Sequence, residues 1–149
     1  MKKLAVALVA VSALSLAACG GSDTSAKDTA SPSPSTLTKA EYLKQADALC
    51  AGMNASIDKA SQTLGDSPDA AALEAFTNDT VLPTTKKVIS KIEALTPPAE
   101  LKAQVDAMLT EVNAQIAKVE ADWKYGMTPK AFTKANKMAM DLGLPACGS

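Results

Sequence analysis

The side chains with the richest chemistry in this sequence are three cysteines, Cys19, Cys50 and Cys147. None of them can form a Cys–His pair, because the chain has no His, and it has no Arg either. Without His, no side chain has an ordinary pKa suited to acid–base work near neutral pH, and the commonest transition-metal ligand is missing. No Gly-rich phosphate loop is present. We therefore predict that the protein is not an enzyme and has no cofactor and no metal site.

Cys19 follows a segment typical of exported proteins. Lys2 and Lys3 precede a mainly apolar stretch, 4–16, which is too short to cross a bilayer of roughly 30 Å as a helix but fits a secretory signal. The stretch 16–20, Leu-Ala-Ala-Cys-Gly, resembles the lipobox of bacterial lipoproteins, in which the cysteine is acylated and the preceding segment is removed. Residues 1–18 are therefore predicted to be a signal peptide, and the alternative is an ordinary small-residue cleavage site.

The residues after Cys19 predict where the protein is located. Two acyl chains on one cysteine give durable membrane anchoring. Gly20 stands where an inner-membrane retention signal usually has Asp, so we expect the extracytoplasmic face of a Gram-positive cell membrane, or the outer membrane of a Gram-negative cell. Residues 20–36 contain no large apolar side chain. With Cys19 they form a predicted disordered tether, 19–36, ahead of a folded domain, 37–149.

Export also predicts the state of Cys50 and Cys147. An oxidising compartment favours a disulfide between them, and a free thiol pair is the alternative. In an up-down-up-down bundle the two cysteines are expected at about the same level. The bond would close a loop of nearly a hundred residues.

The elements that position these cysteines are helices with recognisable ends. Thr38 and Glu41 form a capping box, with Leu37 and Tyr42 at the hydrophobic staple positions. Three further helix starts, each with a hydroxyl residue followed by proline, are predicted at Ser67-Pro68, Thr96-Pro97 and Thr128-Pro129, the last with a staple between Met127 and Phe132. C-cap glycines are predicted at Gly65, Gly126 and Gly143.

Apolar residues recur at steps of three and four between these signals. This spacing predicts an all-α fold, an antiparallel bundle of four helices closed by one disulfide. Pro83 should kink or break the second helix near Leu82, and the fourth helix is short. The predicted helices are 39–64, 68–95, 97–125 and 129–142.

A short fourth helix should cover only half of the bundle. The uncovered apolar strip, near the tether, is expected to contain Leu43, Ala46, Val88, Ile92, Leu101 and Val105. Such a groove could bind a peptide, a lipid or a partner helix. The alternative is that the three long helices close on one another.

Other patterns also have two interpretations. A basic face next to Trp123 and Tyr125 could contact anionic headgroups or wall polymers, or it could be a solvated surface; its members are Lys124, Lys130, Lys134 and Lys137. Met138 and Met140 could suggest copper(I), but residues two apart on a helix point away from each other, so core filling is favoured. The net charge of −1 becomes about −3 without Lys2 and Lys3, which argues against nucleic-acid binding.

Four short motifs resemble a group of small actinobacterial lipoproteins and secreted proteins. They are Lys39-Ala40-Glu41-Tyr42-Leu43, Gln45-Ala46-Asp47-Ala48-Leu49-Cys50, Leu95-Thr96-Pro97-Pro98 and Gly143-Leu144-Pro145-Ala146-Cys147-Gly148. The group shares an early A-D-A-I-C helix and a late G-L-x-x-C-G tail. The resemblance implies an extracytoplasmic helical protein of uncharacterised function with one disulfide, and it implies no activity.

Taken together, these features predict a membrane-anchored extracytoplasmic lipoprotein that acts as a non-catalytic binding or interaction module of the cell envelope. The alternative is a carrier or sensor of a small apolar ligand or lipid in the half-covered groove. The expected partners are the membrane, through the lipid anchor, and an envelope protein or lipid. The oligomeric state is left open.

Overall fold

A computed structural model of the chain describes residues 37–149, which are largely helical. Five α-helices follow one another: α1 (Lys39–Ser61), α2 (Ala70–Phe76), α3 (Leu82–Ala94), α4 (Ala99–Ala121) and α5 (Thr133–Leu142). Shorter turns are the 3₁₀ segments Gln62–Leu64 and Trp123–Met127 and the π turn Thr77–Val81. Because the π turn joins α2 and α3 without a break, the described part has the predicted all-α architecture of four helical rods. The signal peptide, 1–18, and the tether, 19–36, lie outside the described residues.

Helices α3 and α4 run antiparallel, as their side-chain contacts show. Asn113 on α4 donates a hydrogen bond to Glu93 near the end of α3, whereas Glu120 near the end of α4 pairs with Lys86 near the start of α3. This up-down order follows from the short connection between the two rods.

Helix α5 returns along α4 in the same manner. Lys134, at its start, pairs with Glu111 in the second half of α4, and the charged atoms are 2.7 Å apart. Leu142, at its end, adjoins Ala103 near the start of α4. The last rod is therefore antiparallel to the one before it.

Helix α1 begins as the sequence predicts. The Glu41 amide donates to Thr38 Oγ1 at 3.3 Å, and the Thr38 amide donates to Glu41 Oε2 at 2.9 Å, which completes the capping box. Hydrogen bonds from the Thr38 hydroxyl and then from its amide lower the pKa of Glu41. Tyr42 is fully buried and Leu37 packs against the same core.

We expect Thr38→Ala to lower the free energy of unfolding by about 1 kcal/mol, because an amide of the first turn loses its acceptor. The matched control is Thr96→Ala, since the Thr96 side chain caps no helix among the described residues and should change stability by less than about 0.5 kcal/mol. Urea unfolding measures both. The effect of Thr38→Ala should shrink as the pH falls below the lowered pKa of Glu41, because the carboxylate that accepts these bonds is then protonated. Equal losses in the two variants at pH 7 would contradict the capping role.

Three predicted helix starts are wrong by two to four residues. Helix α2 is capped by Asp69, which accepts from the Ala72 amide at 2.8 Å, and not by Ser67. Helix α4 starts after Pro98, not at Pro97, because a residue that precedes a proline is restricted to extended backbone.

The start of α5 is also displaced from the predicted one. The Thr128 hydroxyl donates back to the Tyr125 carbonyl instead of capping a helix, and α5 begins only at Thr133. Met127 remains 53% exposed, so the predicted staple between Met127 and Phe132 does not bury it.

The predicted helix ends are partly right. Gly65 and Gly143 terminate helical segments with φ values of +72° and +90°, which glycine adopts at little cost. Gly126 is not a C-cap, because α4 already ends at Ala121. Asp122 is extended there and its carboxylate accepts from the Lys124 amide, which starts the 3₁₀ turn.

The helix changes its hydrogen bonding just before Pro83. Over Thr77–Val81 it widens into the π turn, and the Leu82 amide donates to the Thr77 carbonyl, five residues back. Pro83 has no amide hydrogen, so an α-helical bond to the Asp79 carbonyl cannot form. The predicted irregularity near Leu82 therefore takes the form of a π turn within a continuous helix.

The core contains one polar side chain whose hydroxyl lacks a hydrogen bond to any described residue. Tyr42 is fully buried, and its hydroxyl oxygen has no partner within 37–149. Desolvation raises the pKa of Tyr42 above its usual value, with the negative charge of Asp106 as a smaller cause. By contrast, the Tyr125 hydroxyl donates to Gln115 Oε1 at 2.6 Å.

We expect the two tyrosines to respond to Phe substitution with opposite signs. Tyr42→Phe should raise the free energy of unfolding by about 1 kcal/mol, because a buried hydroxyl without a partner is removed. Tyr125→Phe should lower it by about 1 kcal/mol, because Gln115 loses its donor. Since the pKa of Tyr42 is raised on folding, stability should fall as the pH rises above about 10, and Tyr42→Phe should reduce that fall. Thermal unfolding at pH 7 and pH 10.5 tests both points, and destabilisation by Tyr42→Phe would contradict the assignment.

Candidate functional site

The groove predicted from the sequence is filled by the protein itself. Of its six residues, Leu43 is half-buried and five are buried in the core: Ala46, Val88, Ile92, Leu101 and Val105. The alternative interpretation is correct here: α1 packs against α3 and α3 packs against α4, so the three long helices close on one another. A Cβ built on Gly143 would lie 3.7 Å from Leu43 Cδ1, so the end of α5 lies against α1 at this level. These residues stabilise the bundle and do not line an open strip.

After α5 the C-terminal tail, residues 143–149, turns back along α1. Gly143 adopts a left-handed conformation, and the Leu144 amide donates to the Ala139 carbonyl at 2.9 Å, which places the Leu144 side chain in the core with no exposed surface. A disulfide joins Cys147 to Cys50, as predicted, with the two Cα atoms 5.0 Å apart.

Two polar residues on the same face of α1 hold this tail. Asp47 accepts a hydrogen bond from the Ala146 amide at 2.7 Å. Asn54 donates to the Ala146 carbonyl at 2.8 Å and to Ser149 Oγ at 2.9 Å. Together with Cys50 they sit at helical spacings of three and four, so one stripe of α1 binds the returning chain. The early motif, which contains Asp47 and Cys50, and the late motif, which contains Ala146 and Cys147, are therefore in contact, and their residues attach the tail to α1.

Gly148 fits this place because it has no side chain. A Cβ there would lie 2.8 Å from the Asn136 carbonyl oxygen and 2.5 Å from Met140 Cγ. We expect Gly148→Ala to lower the free energy of unfolding by about 1–3 kcal/mol through overpacking.

Gly52 supplies the matched control for that substitution. It lies within α1, and a Cβ added to it would have no neighbouring heavy atom within 4 Å, so Gly52→Ala should raise stability by about 0.5–1 kcal/mol. Denaturant unfolding compares the two variants with the parent protein. A neutral or stabilising Gly148→Ala would show that the tail is packed less closely than described.

A cavity of about 270 Å³ lies near the start of α5, away from the predicted groove. Side chains from α1, α3, α4, α5 and the tail line it, most of them apolar, and it is partly open to solvent. Its lining comprises Cys50, Met53, Val81, Thr85, Ile89, Ile92, Met108, Val112, Gly126, Ala131, Phe132, Ala135, Asn136, Ala139, Cys147 and Ser149. Of the predicted groove residues, only Ile92 reaches it.

Three irregular features of the backbone and its cross-link adjoin this cavity. Phe132, with φ of +57° and ψ of −6°, is in the left-handed region, which a bulky side chain adopts only under strain. Val81 is the last residue of the π turn. The third is the Cys50–Cys147 disulfide, both of whose residues line the cavity. Strained and irregular backbone is concentrated at functional sites, which marks this cavity as the candidate site.

The polar groups of the cavity are few and uncharged. No Lys, Asp or Glu side chain contributes to its lining. Within the described residues, neither the Thr85 hydroxyl nor the Asn136 side-chain amide has a hydrogen bond, although both residues are half-buried. The cavity therefore suits a ligand that is apolar along most of its length and neutral at its polar end.

Two of the four lysines of the predicted basic face, Lys134 and Lys137, form ion pairs. Lys134 contacts Glu111 at 2.7 Å and Lys137 contacts Asp141 at 2.8 Å. The hydrogen bonds from Lys134 and then from Gln115 lower the pKa of Glu111. Paired lysines have less charge to offer to an anionic surface, so the geometry favours the interpretation as a solvated face.

The two methionines considered as copper(I) ligands have different environments. Met138 packs against the core, whereas Met140 is 55% exposed. Within 37–149, no three Cys, Asp or Glu side chains are grouped as a metal site would require. None of the helices in this part of the chain combines the length and the apolarity needed to cross a bilayer.

Comparison with protein-family models, with curated proteins and with solved structures found no match to this chain. The functional interpretation is therefore built on the chain's own residues. Sequence reasoning missed the cavity, because nothing in the local pattern around Phe132 signals a left-handed aromatic residue.

Proposed function

We propose that the protein is an exported lipoprotein, acylated at Cys19, that holds residues 37–149 on the extracytoplasmic side of a membrane. The observation that carries this proposal is the lipobox-like stretch 16–20, placed directly after a basic and then apolar segment. The Cys50–Cys147 disulfide supports it, because such bonds persist in oxidising compartments. The resemblance to small actinobacterial lipoproteins points the same way.

In this proposal the folded domain is a non-catalytic binding module of the cell envelope. The composition of the chain supports binding over catalysis, because the chain has no His and no Arg and the cavity is lined by uncharged side chains. The expected partners are the membrane, through the acyl chains, and an envelope protein or lipid.

Metabolic labelling with an alkyne-bearing fatty acid tests the acylation of the full chain. We expect labelled protein in the membrane fraction, and loss of both label and membrane association in Cys19→Ser. The matched control is Cys147→Ser, which also removes one sulfur but should keep the label. Equal labelling and maturation of the parent and Cys19→Ser would refute the proposal.

A second candidate function is a carrier or sensor of a small apolar ligand. The observation that favours it is the cavity at the start of α5, which replaces the predicted groove as the place for such a ligand. Native mass spectrometry of the purified protein distinguishes the two roles. A retained small apolar mass favours the carrier, whereas co-purification of one envelope protein favours the interaction module.

A further inference from the structure

We infer that the cavity beside Phe132 binds a neutral amphiphile with one short alkyl chain, whose polar end lies at Asn136 and Thr85. This inference names the ligand class for the binding role proposed above and depends on that role. It starts from the cavity, a half-open pocket whose lining comes from four helices and the tail.

The volume of the cavity limits the size of the ligand. At about 270 Å³ the cavity has room for a small organic ligand and not only for water. It is larger than an engineered apolar cavity of about 150 Å³ that binds benzene. A phospholipid with two acyl chains is too large, and a single short alkyl chain fits.

Most side chains that line the cavity are apolar, so an alkyl chain fits most of its volume. Ile89, Ile92 and Met108 are all at least nine-tenths buried, and they present hydrocarbon and thioether groups to the cavity. Ala135 and Ala139 of α5 are equally buried and, being small, leave the space open. Burying an alkyl chain here is favourable because it removes apolar surface from water.

The polar groups define the other end of the ligand. The Asn136 amide offers donors and an acceptor, and the Thr85 hydroxyl offers one donor and acceptor sites. Both groups line the cavity, and their polar atoms are accessible to solvent there rather than buried without a partner. No lysine lines the cavity to neutralise a carboxylate, and a buried charge without a partner is strongly disfavoured. An alcohol or amide end group therefore fits, and a fatty carboxylate does not.

The strained Phe132 gives the ligand a route into the cavity. It immediately precedes α5 and, together with Ala131, forms part of the cavity wall in a connection that is not α-helical. A left-handed aromatic residue is strained, so moving this connection away from the cavity releases strain. The Cys50–Cys147 disulfide, whose residues also line the cavity, ties the tail to α1.

Titration calorimetry with 1-octanol and with octanoate at pH 8 tests this inference on the full chain carrying Cys19→Ser. 1-Octanol matches the size of the cavity, and octanoate differs from it in charge. We expect 1-octanol to bind and octanoate to bind at least tenfold more weakly. Ala135→Leu, which fills the cavity, should weaken 1-octanol at least tenfold, whereas the control Ala117→Leu, on the exposed side of α4, should leave it unchanged.

Asn136→Leu gives a second measurement in case Ala135→Leu does not fold. It should weaken 1-octanol about fivefold, the effect of losing one neutral hydrogen bond, while circular dichroism stays unchanged. Absence of 1-octanol binding, equal binding of octanoate, or binding unaffected by Asn136→Leu would each overturn the inference. Because the titrated protein lacks Cys19, a negative result leaves the acylation proposal standing, and failed acylation leaves the titration interpretable.

Discussion

Cys147→Ser is expected to lower the free energy of unfolding by about 4.7 kcal/mol, the chain-entropy value for a loop of about a hundred residues. The disulfide joins residues separated by 97 positions, so it restricts nearly the whole described chain in the unfolded state. Domains of this size are stable by only about 5–15 kcal/mol, and the loss is therefore a large share of the total. Urea unfolding of the oxidised parent and of the variant measures it.

Two controls separate the disulfide from other effects of the substitution. Reduction of the parent protein should reproduce the loss seen in Cys147→Ser, and the reductant should have no effect on that variant. Cys19→Ser removes a cysteine outside the disulfide and should leave unfolding unchanged. A Cys147→Ser variant within about 1 kcal/mol of the parent would show that the hydrogen bonds of Asp47 and Asn54 hold the tail without the cross-link.

Leu144→Ala is expected to lower the free energy of unfolding by about 3 kcal/mol, within the range for a buried leucine truncated to alanine. Leu144 has no exposed surface and is the one residue of the tail that is fully buried in the core. Its removal leaves a void where the left-handed turn at Gly143 directs the chain back toward α1.

Met127→Ala is the comparison for this substitution, because Met127 is also a large apolar side chain but is 53% exposed. It should change stability by less than about 0.5 kcal/mol. Thermal unfolding of the oxidised proteins, with the disulfide intact in all of them, keeps the two effects apart. Similar melting temperatures for Leu144→Ala and the parent would place Leu144 outside the core.

Local sequence signals predicted those parts of the fold that local chemistry controls. The Thr38–Glu41 capping box forms because its partners are three residues apart and need no other segment. Pro83 disturbs the helix just before it because a proline has no amide hydrogen in any fold. The predicted starts at Ser67, Thr96 and Thr128 are wrong because neighbouring residues decide where these helices begin. Asp69 caps α2, and Pro98 keeps the residue before it in extended backbone.

The candidate site was not predictable in the same way. The groove residues were correctly recognised as apolar, but whether they line an open strip depends on how closely α1, α3 and α4 pack together. The cavity depends on a left-handed Phe132 and on the space left by Ala135 and Ala139, and both are properties of packing between distant segments. No local pattern signals either one.

By itself, the sequence predicted the helical class and four helices from the periodicity of apolar residues, and it favoured a disulfide between Cys50 and Cys147 over a free thiol pair. The tertiary structure alone decided that α1, α3 and α4 leave no open strip between them and that a cavity lies near the start of α5. The physical reason is that helix formation depends on neighbours three and four residues away, whereas a void depends on the shapes of side chains brought together from the whole chain.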